Sequence, residues 1–296
     1  MSAKFKHLVS VADLTPKDID SILKKAQTIK ASKVLAGKAV ALAFFEPSTR
    51  TRLSFEMAAT RLGARVLFLS PGGSSLSKGE TLLDTLRNIT AMGPDALVIR
   101  ASEAGLPELF AKQSPCPVIN AGDGAHEHPT QGLLDLFTIV QKKGTVKGLQ
   151  IGIIGDIAHS RVARSNMILL KKMGAKVHVV GPATMIPKGI EQYGVQVHTR
   201  LDKILPQLDC VMALRIQKER QEGGLIPSLR EYTQLYGLTP ARLRMAKSDL
   251  IVMHPGPVNR GVEMAPEVAD GPQSVILDQV ANGVKIRMAV LQWLIG

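Results

Sequence analysis

Hydrophobic positions along the chain follow two rhythms. Short, nearly continuous apolar runs occur at Val40–Phe45, Ala64–Leu69, Ala96–Arg100, Pro117–Ala121, Leu149–Gly155, Lys176–Val180, Val195–His198, Cys210–Leu214 and Leu250–Met253. Runs of this kind are the pattern of strands buried on both faces. Between them, apolar residues recur at helical spacing. The first predicted helix opens at Thr15-Pro16, an N-cap followed by proline at the first helical position, and turns Ile19, Ile22, Leu23 and Ala26 to one side. Others are predicted from Ser48 to Gly63, and over Thr81–Met92, Leu106–Lys112, Pro129–Lys142, Arg161–Met173, Leu201–Leu208 and Glu231–Ala246, with a C-terminal helix from about Ser274.

Strands alternating with helices in both halves predict an α/β protein of two doubly wound parallel-sheet domains. The polar, glycine-bracketed stretch Lys143–Gly148 reads as the link between residues 1–142 and residues 148–273, with the helix of about 274–296 packing back on the first domain. In sheets of this class ligands bind beyond the carboxyl ends of the strands. The unusual polar residues gather there: Glu46–Arg52, Arg100, His128, Asp156–Arg161, Arg215–Arg220 and Gly256-Pro257.

Composition narrows the classes. With 296 residues, 45% of them hydrophobic, the chain is long enough for two cores. No apolar run reaches membrane-spanning length, and the first residues lack the apolar segment of a secretion signal. Cys116 and Cys210 form no paired motif, which argues against a disulfide framework or a zinc site. A reducing, cytoplasmic setting is expected. The net charge of +12 fits nucleic acid, small anionic substrates, an acidic partner subunit or a merely solvated basic surface. Spread basic residues and an aromatic content of 4% leave few stacking platforms for nucleic acid. Gly152 and Gly155 have no third glycine before the next helix, so a nicotinamide site is not expected.

The most telling stretch is Phe44–Met57. Ser48, Thr49, Arg50 and Thr51 crowd the first turn of a helix whose free N–H groups and dipole already attract anions. Arg50 adds a planar fork suited to phosphate. An N-cap followed by surface arginines is the plainer alternative. His128 precedes the helix of Pro129-Thr130-Gln131, where the dipole favours a neutral imidazole able to donate to a carbonyl oxygen. Arg161, at a helix start, suits a small carboxylate.

These motifs, in this order, resemble those of the aspartate and ornithine carbamoyltransferases over essentially the whole chain. The resemblance implies an active site in a cleft between the two domains, with no cofactor and no metal. It implies that Ser48, Thr49, Arg50 and Thr51 bind carbamoyl phosphate, that Thr51, Arg100 and His128 polarise the carbamoyl oxygen, and that Gln131 and the backbone at Gly256 and Pro257 orient the carbamoyl nitrogen. Ser74–Glu80 resembles a mobile loop through which Ser75 (or Ser74) and Lys78 reach a neighbouring subunit's site, Lys78 also serving the amino-acid substrate. Arg161, Arg215 and Gln217 would bind that substrate, and Arg220 would meet Glu46 on domain closure. The run Arg215–Arg220 and the absence of cysteine from His128–Gln131 and His254–Pro257 favour L-aspartate over ornithine as acceptor. Other acceptors, such as ornithine or an acylated ornithine, and a catalytically silent scaffold are the remaining readings. A homotrimer with shared sites is implied, with regulatory chains or a dihydroorotase as possible further partners, and neither nucleic acid nor membrane.

Overall fold

The computed structural model of the protein describes residues 6–69, 79–216 and 228–296. Within these residues the first compact unit contains α1 (Pro16–Thr28), β1 (Ala39–Phe44), α2 (Thr49–Arg61), β2 (Arg65–Leu69), α3 (Leu82–Ala91), β3 (Ala96–Ala101), α4 (Leu106–Ala111), β4 (Val118–Asp123) and the start of α5 (Pro129–Lys143). Its sheet is parallel in the order β2-β1-β3-β4, with Val40 beside Val66 on one side and Ala96 on the other. A capping box of Thr15 and Asp18 starts α1. β1 is buried almost throughout, as its unbroken apolar run requires, and its neighbour β3 is buried at every position. Before α1, Leu8 adds a bridge beside β4: its N–H donates to Val118 at 2.8 Å and its carbonyl accepts from Asn120 at 2.9 Å. No apolar run signalled that pairing.

The second unit carries β5 (Gln150–Ile154), α6 (Arg161–Lys172), β6 (Lys176–Val180), β7 (Gln196–His198), α7 (Leu201–Ile204), β8 (Cys210–Ala213), α8 (Leu229–Tyr236), α9 (Pro240–Leu243), β9 (Ile251–Met253), α10 (Pro266–Ala269) and the start of α11 (Ile276–Ile295). Its parallel sheet runs β7-β6-β5-β8-β9. Ile154, Val180, Leu208, Val211, Tyr232 and Val252 share one buried cluster.

Two predicted helices are broken. After α7 the chain tightens into a 3₁₀ turn at Leu205–Gln207, because Pro206 has no N–H to continue the ladder. The predicted segment 231–246 is two helices. Ser228 caps α8, which starts earlier than predicted, and Gly237 ends it. Thr239 then caps α9, with Pro240 at its first position.

The units are residues to Leu134 with Val280–Gly296, and Asp135–Gln279. The division between these compact units falls inside α5 and α11. A helix satisfies its own backbone, so a unit boundary can lie within one.

The two glycines of the β5 run serve packing. A Cβ on Gly152 would lie 2.5 Å from a Leu208 methyl. One on Gly155 would lie 2.9 Å from the Tyr232 hydroxyl, at a φ of +123° that side chains rarely adopt.

Candidate active site

In the first unit, β1 delivers the chain to the N-terminus of α2. Ser48 is the N-cap in extended conformation, yet its side chain makes no capping hydrogen bond. The first-turn donors are therefore not covered by their own cap. Thr49 and Arg50 are exposed and Thr51 is 7% exposed. Thr51 Oγ1 lies 3.5 Å from His128 Nε2, which brings the start of α2 to the start of α5.

Arg100 ends β3 and is 8% exposed. Its Nη1 donates to the Ala121 carbonyl of β4 at 3.1 Å, and Nη2 stands 3.5 Å from Glu46 Oε1. The backbone closes the same corner, with the Phe45 N–H donating to the Arg100 carbonyl at 2.8 Å. Glu46, which the resemblance assigns to Arg220, is thus beside Arg100. His128 and Gln131 are both buried, the first just before α5 and the second in its first turn. At this corner of the unit the structure pairs Thr51 with His128 and Arg100 with Glu46.

That corner has supports that sequence reasoning missed. Asp123, 1% exposed, accepts from four donors: Asn120 Nδ2 at 2.8 Å, the Glu127 N–H at 3.0 Å, the Gly105 N–H at 2.6 Å and His126 Nδ1 at 3.0 Å. It ties the 123–127 turn that presents His128. Glu127 in turn accepts from Ser10 Oγ and from the Val11 N–H. His126 is a member of this network. The available signal was a carboxylate and an amide at the end of an apolar strand, positions that burial makes costly unless they are bonded.

In the second unit, β5 leads to Asp156, fully buried, whose Oδ1 accepts from the His159 N–H at 3.2 Å and lies 2.8 Å from His159 Nδ1. Ser160 caps α6 by accepting from the Ala163 N–H at 3.1 Å. Arg161 follows at 6% exposure. β8 leads to Arg215, half-buried, and β9 to Gly256 and the exposed Pro257, joined by a cis peptide bond. Arg161, Arg215 and Gly256-Pro257 therefore all stand at carboxyl ends of neighbouring strands of one sheet, β5, β8 and β9. Ser74, Ser75, Lys78, Gln217 and Arg220 lie outside the described residues. Among the described residues no group of three or more His, Cys, Asp or Glu is placed to hold a metal ion, and no helix is long and apolar enough to cross a membrane.

Comparison with known proteins decides the family. A model described as "Aspartate/ornithine carbamoyltransferase, carbamoyl-P binding domain" matches residues 6–141, and one described as "Aspartate/ornithine carbamoyltransferase, Asp/Orn binding domain" matches residues 147–294. The chain belongs to the aspartate/ornithine carbamoyltransferase family. Among curated members, the aspartate carbamoyltransferase catalytic subunit of Syntrophotalea carbinolica is 53% identical, the match covering 100% of this chain and 97% of that one. The corresponding subunit of Desulfotalea psychrophila is 54% identical, with 98% and 94% covered. Among solved structures, Trypanosoma cruzi aspartate transcarbamoylase in complex with carbamoyl phosphate and aspartate gives a TM-score of 0.89 at 31% identity, covering 100% of this chain and 98% of that one. The catalytic subunit of M. jannaschii aspartate transcarbamoylase gives 0.85 at 36% identity, with 98% of each chain covered.

Proposed function

We propose that the chain is an aspartate carbamoyltransferase catalytic subunit, transferring the carbamoyl group of carbamoyl phosphate to the amine of L-aspartate, with N-carbamoyl-L-aspartate and phosphate as products, in pyrimidine biosynthesis. The observation that carries this reading is the pairing of Thr51 with His128 at the start of α2, whose cap side chain makes no capping bond, together with buried Arg100 at the end of β3 beside Glu46. The Trypanosoma cruzi relative, solved with carbamoyl phosphate and aspartate, supports the same substrates.

The roles follow from the chemistry. Ser48, Thr49, Arg50 and Thr51 take the phosphate through helix N–H groups, hydroxyls and the Arg50 fork. Thr51, Arg100 and His128 donate to the carbamoyl oxygen and stabilise the oxyanion as the amine attacks. The tetrahedral carbon then expels phosphate, and the amine proton leaves with it or to water. Gln131 and the backbone at Gly256-Pro257 fix the carbamoyl nitrogen. Arg161, Arg215 and Gln217 receive the two aspartate carboxylates. No residue is a covalent nucleophile; the rate comes from charge stabilisation and from holding two anions in register.

The assembly we propose is a cytoplasmic homotrimer in which Ser75 and Lys78 of a neighbour complete each phosphate site. Edge strand β2 supports it, with Leu67 and Phe68 at 44% and 42% exposure, as do Leu53 and Met57 of α2 at 48% and 46%. Exposed apolar area of this kind marks contact surfaces.

The decisive assay is phosphate release from carbamoyl phosphate with L-aspartate, L-ornithine and acetylornithine in parallel. Release with aspartate alone is expected; release only with another amine would keep the phosphate site and overturn the acceptor. Sharing is tested by mixing Arg50→Ala with Lys78→Ala, each nearly inactive alone. Hybrid trimers should regain part of the activity, and silence despite proven subunit exchange would sink the shared site.

A further inference from the structure

Beyond β9 the chain runs through His254-Pro255-Gly256-Pro257-Val258-Asn259, and it is held from the side by a buried pair to which no role has yet been given. His254 is 2% exposed and Glu263 1%. The Gly256 N–H donates to His254 Nδ1 at 2.8 Å. That nitrogen presents its lone pair, so the ring proton sits on Nε2, 3.2 Å from Glu263 Oε1. The same carboxylate oxygen accepts the Asn259 N–H at 2.6 Å. Asn259 Nδ2 in turn donates to the Ile216 carbonyl at 3.4 Å, one residue past Arg215. Behind the ring, the His254 N–H donates to Gln279 Oε1 at 3.0 Å, and Gln279 Nε2 to Asp135 Oδ1 at 2.8 Å. The turn is clamped at Gly256 through His254 and at Asn259 through Glu263, and its far end is bonded to the exit of β8.

Core formation does not account for this pair. Glu263 stands between Val262 and Met264, which pack in the apolar cluster of the second unit. A buried carboxylate pair is a poor source of stability, since well-packed apolar side chains of similar volume often do as well or better. Glu263 Oε2, moreover, has no hydrogen-bond partner in the structure. What the arrangement secures is position: two backbone N–H groups on either side of Gly256-Pro257, and the strand end that carries Arg215, are all referred to one imidazole–carboxylate unit.

We propose that His254 and Glu263 are positioning residues for carbamoyl transfer, holding the Gly256-Pro257 backbone in register with the Arg215 exit. The inference rests on the function proposed above. The carbamoyl nitrogen and an aspartate carboxylate would then be held at one spacing by a rigid frame within a single unit. A misplacement of about 1 Å in such a frame costs about 100-fold in rate.

The test compares Glu263→Leu with Glu263→Gln in the full chain. Leucine fills the volume and removes the acceptor; glutamine keeps an oxygen for the Asn259 N–H and the His254 proton. Glu263→Leu should lower kcat/KM for aspartate about 100-fold, with a lower melting temperature because two buried donors lose their acceptor, and with carbamoyl phosphate affinity changing far less than kcat/KM. Hydrogen exchange at residues 254–259 should quicken. Glu263→Gln should recover most of the loss, which a purely structural role would not require. Native kcat/KM for aspartate in a folded Glu263→Leu variant overturns the proposal, whether or not exchange changes. If that variant does not fold, Asn259→Ala decides: it cuts only the link to Ile216 and should raise KM for aspartate several-fold, and an unchanged KM overturns the coupling. A wild type without aspartate-dependent turnover would overturn the reaction as well, an outcome distinct from native turnover in the variants.

Discussion

The two units solve the same problem in opposite ways. Each sends a parallel strand into a helix whose first residues include an arginine: β1 into α2 with Arg50, and β5 into α6 with Arg161. At α2 the cap residue Ser48 makes no side-chain capping bond, and the arginine is exposed. At α6 the cap residue Ser160 bonds the Ala163 N–H, and the arginine is buried to 6% exposure. An uncapped helix start offers a set of backbone donors plus half a positive charge, which suits a dianionic phosphate. A capped one has used that capacity, and recognition passes to the guanidinium fork, which suits a carboxylate. Under the function proposed above, the helix end would be the receptor in α2 with the side chains assisting, whereas in α6 the helix end would be scaffold and the side chain the receptor.

The largest expected effect breaks the first half of this contrast. If the corner of Thr51, Arg100 and His128 stabilises an oxyanion, His128→Ala should lower kcat by about 100- to 1,000-fold. The affinity for carbamoyl phosphate, set mainly by the start of α2, should move far less. Steady-state kinetics with a direct binding measurement separates the two, and near-native turnover would remove His128 from the chemistry.

A smaller effect tests the caps themselves. Ser160→Ala should cost about 1 kcal/mol of stability, the usual value of a side-chain cap, with little change in carbamoyl phosphate binding. Ser48→Ala should do the reverse, leaving the denaturant midpoint nearly in place and weakening carbamoyl phosphate binding. Equal losses of stability in both would mean that Ser48 is an ordinary cap and that α2 is not the open terminus described here.

Much of this was legible in the chain. Strands buried on both faces announce themselves as unbroken apolar runs, so both parallel sheets could be placed from Val40–Phe45 onward. Polar residues at strand ends have few structural reasons to cluster, which is why Arg100, His128, Arg161 and Arg215 stood out. Three kinds of feature were not readable. Bonds between residues distant in sequence leave no local pattern: Leu8 beside β4, Glu127 with Ser10, and Glu263 with His254 are examples. Whether Ser48 caps or leaves its helix open is decided by a side-chain torsion, and the residue type alone favours capping. The break between α8 and α9 needed Gly237 and Pro240 to be weighed against a helical pattern that runs on past them.

The last effect concerns acid, and it acts on stability rather than on turnover, from the side of the second unit. Edge strand β7 and its neighbour β6 carry a histidine pair, His178 buried and His198 half-buried. His178 Nδ1 lies 3.0 Å from His198 Nε2, and His178 Nε2 lies 2.7 Å from Gln150 Oε1. The amide oxygen can only accept, so Nε2 of His178 bears the proton, and Nδ1 accepts from His198. Burial, with His198 and Lys176 adding repulsion, brings the His178 pKa down to about 4. Burial lowers His198 as well. A folded-state pKa below the unfolded value means that the unfolded chain binds the proton first, so stability is full above about pH 6.5 and declines as pH falls toward about 4. The melting temperature should therefore drop across that window. His178→Gln, which keeps a donor for Gln150 without a titrating ring, should flatten part of the decline, and hydrogen exchange at β6 and β7 should show the same relief. An unaltered pH profile in that variant would assign the acid sensitivity elsewhere and leave the pair as packing.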